Sequence, residues 1–201
     1  MRNLAKLLLL AVCAAGAFSA AYGRPNADVY IGITSYGSQK VPGFGLPAFE
    51  AQGLEAQQAA QEVQEVLRAD LMYMRYFDVQ ENGPAFDNKH ITDSVSSWGK
   101  QGAAYVLSGS VSYEAPNYTI RLYVYDVSTR TAVFAKAYKG TEASLRRLAH
   151  VAADQIVSAL IGKRGIADTK IAFANDATKH KEIYVVDYDG HKLQKLTNDK
   201  N

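Results

Sequence analysis

Apolar residues recur at every third or fourth position in two segments of the chain, a spacing typical of amphipathic helices. The first segment is Glu55–Met74 and the second is 142–161. Thr141 is predicted to cap the start of the second helix, and Gly162 is predicted to end it. At 1.5 Å per residue each helix is about 30 Å long, so each can cover one face of a small sheet.

Alternating apolar and polar positions predict three strands between these helices, over 104–113, 118–127 and 131–139. Because the predicted linkers are only a few residues long, we expect an antiparallel meander. One face of the meander is apolar and faces the helices. The other face carries serines together with Tyr123 and Tyr125, so we expect it to be partly solvated.

The remaining segments of this region give weaker signals. Short strands are predicted over 29–34 and 76–80, and a short helix over Ile91–Lys100. Glycine and proline interrupt residues 35–53, which are predicted to form a loop. The predicted fold class is therefore α/β, with a mixed sheet that contains an antiparallel meander and is covered by two long helices.

The last part of the chain has a different pattern. Short strands are predicted over 170–174 and 183–187, followed by a tight turn at Asp189 and Gly190. This pattern is typical of the opening strands of a β-propeller blade, which normally needs four strands in a propeller of roughly four to eight blades. We therefore expect an N-terminal domain over 24–162, a linker over 163–168 and an incomplete first blade over 169–201. This organisation suggests a truncated gene or a fragment of a longer protein.

The first 23 residues have the order of a secretory leader. Arg2 and Lys6 precede a short apolar run, and small residues follow it up to Gly23. An apolar run of this length indicates a removable leader rather than a membrane span, so the mature product is predicted to be exported without membrane insertion. Cys13 has two interpretations, a lipoprotein attachment site or a small apolar residue of the leader, and the second fits the run that continues past it. The mature chain then has no cysteine for disulfide or thiol chemistry.

Removal of the leader also changes the charge. The full chain has 22 Lys and Arg against 20 Asp and Glu, and the leader takes Arg2 and Lys6 with it. The mature chain is then formally neutral, and its acidic and basic residues are interspersed. Nucleic-acid binders are expected to gather a basic excess on one face, so this class of partner is disfavoured.

Motifs for catalysis are absent from the sequence. It has neither a phosphate-binding loop nor a dinucleotide fingerprint, and its four histidines lack the spacing of metal ligands, so no cofactor is predicted. The Ser108-Gly-Ser-Val-Ser112 run lies within a predicted strand and does not match a nucleophile elbow. His150 and Asp154 could form an acid/base pair, but the favoured interpretation is an i,i+4 contact on the helix surface that orients the ring against the sheet or the next domain. Trp98 is interpreted as a core residue rather than a ligand-stacking one.

Several segments, taken in order, resemble the TolB family of the Tol–Pal system. They are Asp70-Leu71 with 75–78, residues 102–111, residues 145–156, and residues 162–166. The first-blade segments 170–173 and 186–190 are similar to the same family.

The resemblance implies a non-enzymatic periplasmic scaffold. It implies that the mature N-terminus contacts a TolA-like protein, and that a complete propeller contacts a Pal-like protein, in maintaining the outer membrane and its constriction at division. Carried onto this chain, the TolA-contacting segment includes Arg24, Val29, Tyr30 and Ile31, which could add a strand to a partner's sheet.

Two other functions stay open at this stage. The chain could precede the catalytic domain of a secreted propeller-containing peptidase. It could also be a stand-alone periplasmic module that binds a protein partner through Tyr123 and Tyr125, since tyrosine is enriched at interfaces.

Overall fold

Residues 41–176 and 180–198, which a computed structural model describes, form nine strands and three α-helices. The strands are β1 Gly43–Gly45, β2 Glu50–Gln52, β3 Asp78–Gln80, β4 Ala103–Glu114, β5 Asn117–Asp126, β6 Thr131–Gly140, β7 Lys170–Asn175, β8 Glu182–Asp187 and β9 Gln194–Lys195. The helices are α1 Glu55–Met74, α2 Ile91–Lys100 and α3 Leu145–Ile161. None of these three helices is both long and apolar enough to cross a membrane.

The first six strands form one mixed sheet in the order β3-β1-β4-β5-β6, with β2 also paired to β4. β1 runs parallel to β3 and β4, and β2 runs parallel to β4. The β4–β5–β6 meander is antiparallel, as predicted from its alternating pattern and short linkers. The mixed sheet and the two long helices of the predicted fold class are thus confirmed.

The main core lies between one face of this sheet and the helices α1 and α3. Both helices bury the apolar stripe that predicted them, because that stripe packs on the apolar face of the meander. The buried side chains shared between these layers include Val63, Leu67, Leu107, Leu122 and Ile156. A smaller cluster on α2 contains Trp98, which is fully buried against Ala103 and Val106, so its interpretation as a core residue is confirmed.

Two local predictions are wrong. The predicted loop over 35–53 contains β1 and β2 within its described part, since each pairs in parallel with β4. Thr141 makes no side-chain capping hydrogen bond; instead a 3-10 turn, Glu142–Ser144, precedes α3, and the Ser144 hydroxyl donates to the Thr141 carbonyl. Gly162 ends α3 in the left-handed region, with φ of 71°, as predicted.

The strands β7, β8 and β9 form a separate antiparallel sheet in that order. The predicted strands and the turn at Asp189 and Gly190 are present, with Gly190 at a φ of 88°. Apolar side chains of this sheet are exposed, among them Ile171, Ile183 and Leu196. That this sheet begins a propeller blade, like the leader and the domain boundaries, stays a prediction.

Candidate functional site

Five polar side chains meet where the helices α1 and α3 contact the second sheet, and we call them the junction cluster. They are Asp70, Arg146, His150, Tyr188 and Asp189. Asp70 comes from the last turns of α1, Arg146 and His150 lie one helical turn apart on α3, and Tyr188 and Asp189 follow strand β8. The cluster therefore joins three segments that are far apart in the sequence.

His150 is at the centre of this cluster. Its Nδ1 lies 2.8 Å from Oδ2 of Asp70, and the two side chains are only 5% and 1% exposed. Its Nε2 lies 3.2 Å from Oδ2 of Asp189, without the geometry of a hydrogen bond. The imidazole is thus held between two carboxylates from opposite sides of the junction.

The other two members complete the hydrogen bonding of the carboxylates. Arg146 donates to Oδ2 of Asp189 from Nε, at 3.0 Å, and also from Nη2. The Tyr188 hydroxyl donates to Oδ1 of Asp70, and its ring packs edge-on against His150. Because buried charges are costly unless paired and hydrogen-bonded, these partners supply what the buried Asp70 and the partly buried Asp189 require.

The electrostatics of the cluster favour the protonated imidazole. Burial of the ring acts to lower the pKa of His150, but the hydrogen bond to Asp70 and the charges of Asp70 and Asp189 raise it above its usual value. Burial acts to raise the pKa of Asp189, yet Arg146, the His191 amide and His150 bring it down from 3.8 to about 2. Burial and the contact with Asp70 raise the pKa of Tyr188, which keeps its hydroxyl protonated as a donor. With His150 protonated, two positive charges face two negative ones.

The segment between α3 and β7 is fixed by a neighbouring carboxylate. Asp154 accepts hydrogen bonds from the backbone amides of Ala167, at 2.8 Å, and Asp168, at 3.1 Å. The predicted contact between His150 and Asp154 is therefore wrong, because each side chain has a partner outside the helix. The His150 ring lies instead against the segment that follows β8, with Nε2 3.2 Å from Oδ2 of Asp189.

The junction cluster has the chemistry of a structural contact. An Asp–His pair can act as a general base only if a reacting group reaches the imidazole, and His150 is enclosed. The Tyr188 hydroxyl is occupied by Asp70. Within the ranges that the structure describes, no group of three His, Cys, Asp or Glu side chains could hold a metal ion. We interpret the cluster as the element that fixes the second sheet against α1 and α3.

The residues predicted to bind partners lie elsewhere. Tyr123 is on the polar face of the first sheet and is 39% exposed. Tyr125, two residues on, is only 7% exposed because the Phe86 ring stacks on it at 5.7 Å. The polar face is thus only partly solvated. Arg24, Val29, Tyr30 and Ile31 lie outside the described residues.

Comparison with known proteins identifies relatives over most of the chain. The family described as the TolB amino-terminal domain matches residues 29–133. The Tol-Pal system protein TolB of Geobacter sulfurreducens is 28% identical over 177 residues, which are 87% of this chain and 41% of that protein. The protein of the same name from Geobacter metallireducens is 30% identical over 152 residues, 74% of this chain and 35% of that protein.

A solved structure shows a similar fold. The crystal structure of TolB from Acinetobacter baumannii superposes with a TM-score of 0.65 at 20% identity, covering 79% of this chain and 39% of that one. The present chain thus spans less than half the length of these relatives.

Proposed function

Because this chain belongs to the TolB amino-terminal domain family, we propose that it is the N-terminal part of a non-enzymatic periplasmic scaffold of the Tol–Pal system. The proposal rests on the match of that family to residues 29–133. The scaffold would contact a TolA-like protein through its mature N-terminus and a Pal-like protein through a complete propeller. Its role would be outer-membrane integrity and constriction during cell division.

The junction cluster supports a scaffold function. Relative motion is the default for two parts of a chain joined by a small interface, so a paired polar contact between them would hold two partner-binding surfaces in a fixed relation. The paired side chains of Asp70, His150 and Asp189 connect both long helices to the second sheet. If that sheet continues into a propeller, a surface on the propeller and one on the first domain would move together.

The proposed contact with a TolA-like protein uses the residues that follow the predicted leader. Arg24 begins this segment, and Val29, Tyr30 and Ile31 form its apolar part. An extended segment of this kind can add a strand to an exposed sheet edge, where main-chain hydrogen bonds supply affinity. The leader predicted over residues 1–23 would place the mature protein in the periplasm.

Deletion of this segment tests the proposal. We expect the chain starting at Arg24 to bind a purified periplasmic domain of a TolA-like protein in isothermal titration calorimetry, and a variant lacking residues 24–31 to lose that binding. The matched control replaces Tyr123 and Tyr125 by Ser and should bind like the parent chain. Full binding by the deletion variant, with binding lost in the tyrosine variant, would instead support a protein-binding module that uses the sheet face.

A further inference from the structure

The polar face of the first sheet contains a trough that the proposed function does not use. Its floor is the strand β4, where Ser108, Ser110 and Ser112 point to the same face at every second position. The trough has a volume of about 420 Å³. The residues that line it come from β2, β4, β5 and the segment that leads into α2. We call it the serine trough.

Strand register explains why the trough is concave. Ser110 is paired with Glu50 on β2 and with Arg121 on β5, so the three residues form one row across the sheet. Neighbouring strands lie about 4.8 Å apart, which puts the Cα atoms of Glu50 and Arg121 about 10 Å from each other. Long side chains on both sides of a small hydroxyl leave a channel along β4.

Asn88 borders one end of the trough. Asn88 lies over Ser108 and accepts a hydrogen bond from its hydroxyl at 2.9 Å. Next to it stands a row of nearly parallel rings, in which Tyr123 stacks on Tyr125 and Tyr125 stacks on Phe86. The groups at this end are an amide, hydroxyls and aromatic rings, all of them uncharged at neutral pH.

Charged groups lie two residues further along β4, level with Ser110. Glu50 and Arg121 line opposite walls level with Ser110, and neither is paired with a charged side chain in the part of the chain that the structure describes. The Arg121 guanidinium donates to the Ser112 hydroxyl at 3.4 Å. The two charges cancel, so the trough as a whole is neutral and rich in hydrogen-bonding groups.

We propose that the serine trough binds the end of a neutral oligosaccharide. A sugar ring presents hydroxyls to Ser110 and Asn88, and its C–H groups can pack on the electron-rich face of an aromatic ring such as Tyr123. The charges of Glu50 and Arg121 supply stronger hydrogen bonds to the hydroxyls of the next unit. The proposal does not depend on the Tol–Pal function.

A peptide fits the same trough less well. Both edges of β4 are already hydrogen-bonded, to β2 and to β5, so the floor offers no main-chain groups for strand addition. A peptide terminus at the Asn88 end would place its ammonium or carboxylate beside Asn88 and Ser108, so that Glu50 and Arg121, level with Ser110, would compensate its charge only in part. A neutral chain end avoids this cost.

Titration with a tetramer of N-acetylglucosamine tests the proposal, using amide chemical shifts of the chain from Arg24 onward. We expect a dissociation constant on the order of 1 mM, with shifts at Ser108, Ser110 and Tyr123. Ser110→Leu should weaken binding about tenfold or more, because leucine fills the floor and removes the hydroxyl. Tyr123→Ser should weaken it severalfold.

Matched variants and probes complete the test. Ser158→Leu, at an exposed position of α3, and Tyr73→Ser, on α1, should bind like the parent chain. A tetramer of galacturonate, of equal length but anionic, should bind more weakly than the neutral sugar. Absence of shifts with the neutral tetramer, equal binding by Ser110→Leu, or preference for the anionic tetramer would overturn the proposal. Shifts at the trough with a peptide but not with the sugar would overturn it in favour of a protein partner.

Discussion

Replacing His150 by Leu tests the junction cluster directly. Leucine is close in size to histidine but supplies neither the donor to Asp70 nor a positive charge between Asp70 and Asp189. Asp70 is 1% exposed and would keep only the Tyr188 hydroxyl as a partner within the cluster. The substitution therefore removes one partner of a buried Asp–His pair.

The size of the effect follows from burial. Removal of one partner of a buried ion pair costs about 3–5 kcal/mol, because the other charge stays without compensation. The Tyr188 hydroxyl offsets part of this cost, so we expect the free energy of unfolding to fall by about 3 kcal/mol. His191→Leu is the matched control: His191 lies 3.3 Å from Oδ1 of Asp189 but is 56% exposed, and exposed pairs contribute about 0–1 kcal/mol.

Urea unfolding at pH 6 measures both variants, with the fluorescence of Trp98 as the reporter because this tryptophan is fully buried. If the unfolding free energy of His150→Leu lies within about 1 kcal/mol of that of the parent chain, the buried pair is not an important source of stability and the prediction is wrong. It is also refuted if His191→Leu and His150→Leu are equally destabilised. The slope of unfolding free energy against urea should be unchanged, since neither variant alters the size of the core.

The parent chain and His150→Leu, compared at several pH values, give the pH dependence of stability. The folded pKa of His150 is raised, so its contribution to stability is fully present below its unfolded value of about 6.5 and is lost as pH rises through the folded value. The folded pKa of Asp189 is lowered to about 2, so its contribution is present above its ordinary value of 3.8 and is lost as pH falls towards 2. The difference between the parent chain and His150→Leu should therefore shrink as pH rises above 6.5.

Charged and polar groups from several elements surround His150. Asp70 and Tyr188 approach it from α1 and from the segment after β8, and Arg146 lies one turn earlier on α3. More charged groups line a small cavity beside His150. They are the ion pairs Arg147–Asp168 and Lys170–Asp187, together with Lys192. All of these groups are present in both the parent chain and His150→Leu, as is His191, so the difference between the two proteins isolates the titration of His150.

Two further predictions concern packing and a buried phenol. Gly83→Ala should destabilise the chain by about 1–3 kcal/mol in thermal unfolding, because the added Cβ would lie 2.2 Å from the Trp98 ring. In a Trp98→Phe background the same substitution should cost less, since the clashing ring atoms are gone. Tyr138→Phe should cost about 0.5–1.5 kcal/mol by removing the hydrogen bond to Gln155. Burial raises the pKa of Tyr138 to about 12, so this difference should narrow between pH 10 and 12 as the unfolded phenol ionises; a constant difference would contradict the prediction.

The helices and the meander could be predicted from the sequence because their signals are local. Each long helix carries an apolar stripe about four turns long, and each meander strand alternates over ten or so residues with a short linker to the next. The strands β1 and β2 could not, since three residues are too few for a periodic signal and their pairing is parallel with a distant strand. Gly45 contributed to the wrong prediction of a loop, although its role is to permit close packing within a strand. A Cβ at this position would lie 2.5 Å from the Trp98 ring.

The junction cluster was missed although two of its members carry a signal. Asp70 falls on the apolar stripe of α1, in the series Val63, Val66, Leu67, Asp70, Leu71, and His150 falls on the stripe of α3. A charged residue on a stripe that faces the core must find a partner there. Because both stripes cover the same sheet, a carboxylate on one helix and an imidazole on the other are natural partners across it. Asp154, the neighbour of His150 within α3, instead accepts hydrogen bonds from the amides of Ala167 and Asp168.

Asp189 shows why the rest of the site needs the fold. Its sequence context, Asp189-Gly190 after a strand, is fully explained by a tight turn, and the turn is present. Nothing in that local pattern indicates that the same carboxylate also reaches Arg146 and His150 on a helix forty residues earlier. A residue that satisfies a local rule can thus carry a second, long-range role. Substituting Asp189 by Asn, which suits a turn equally well, would separate the two: the turn should persist while the contacts with Arg146 and His150 weaken.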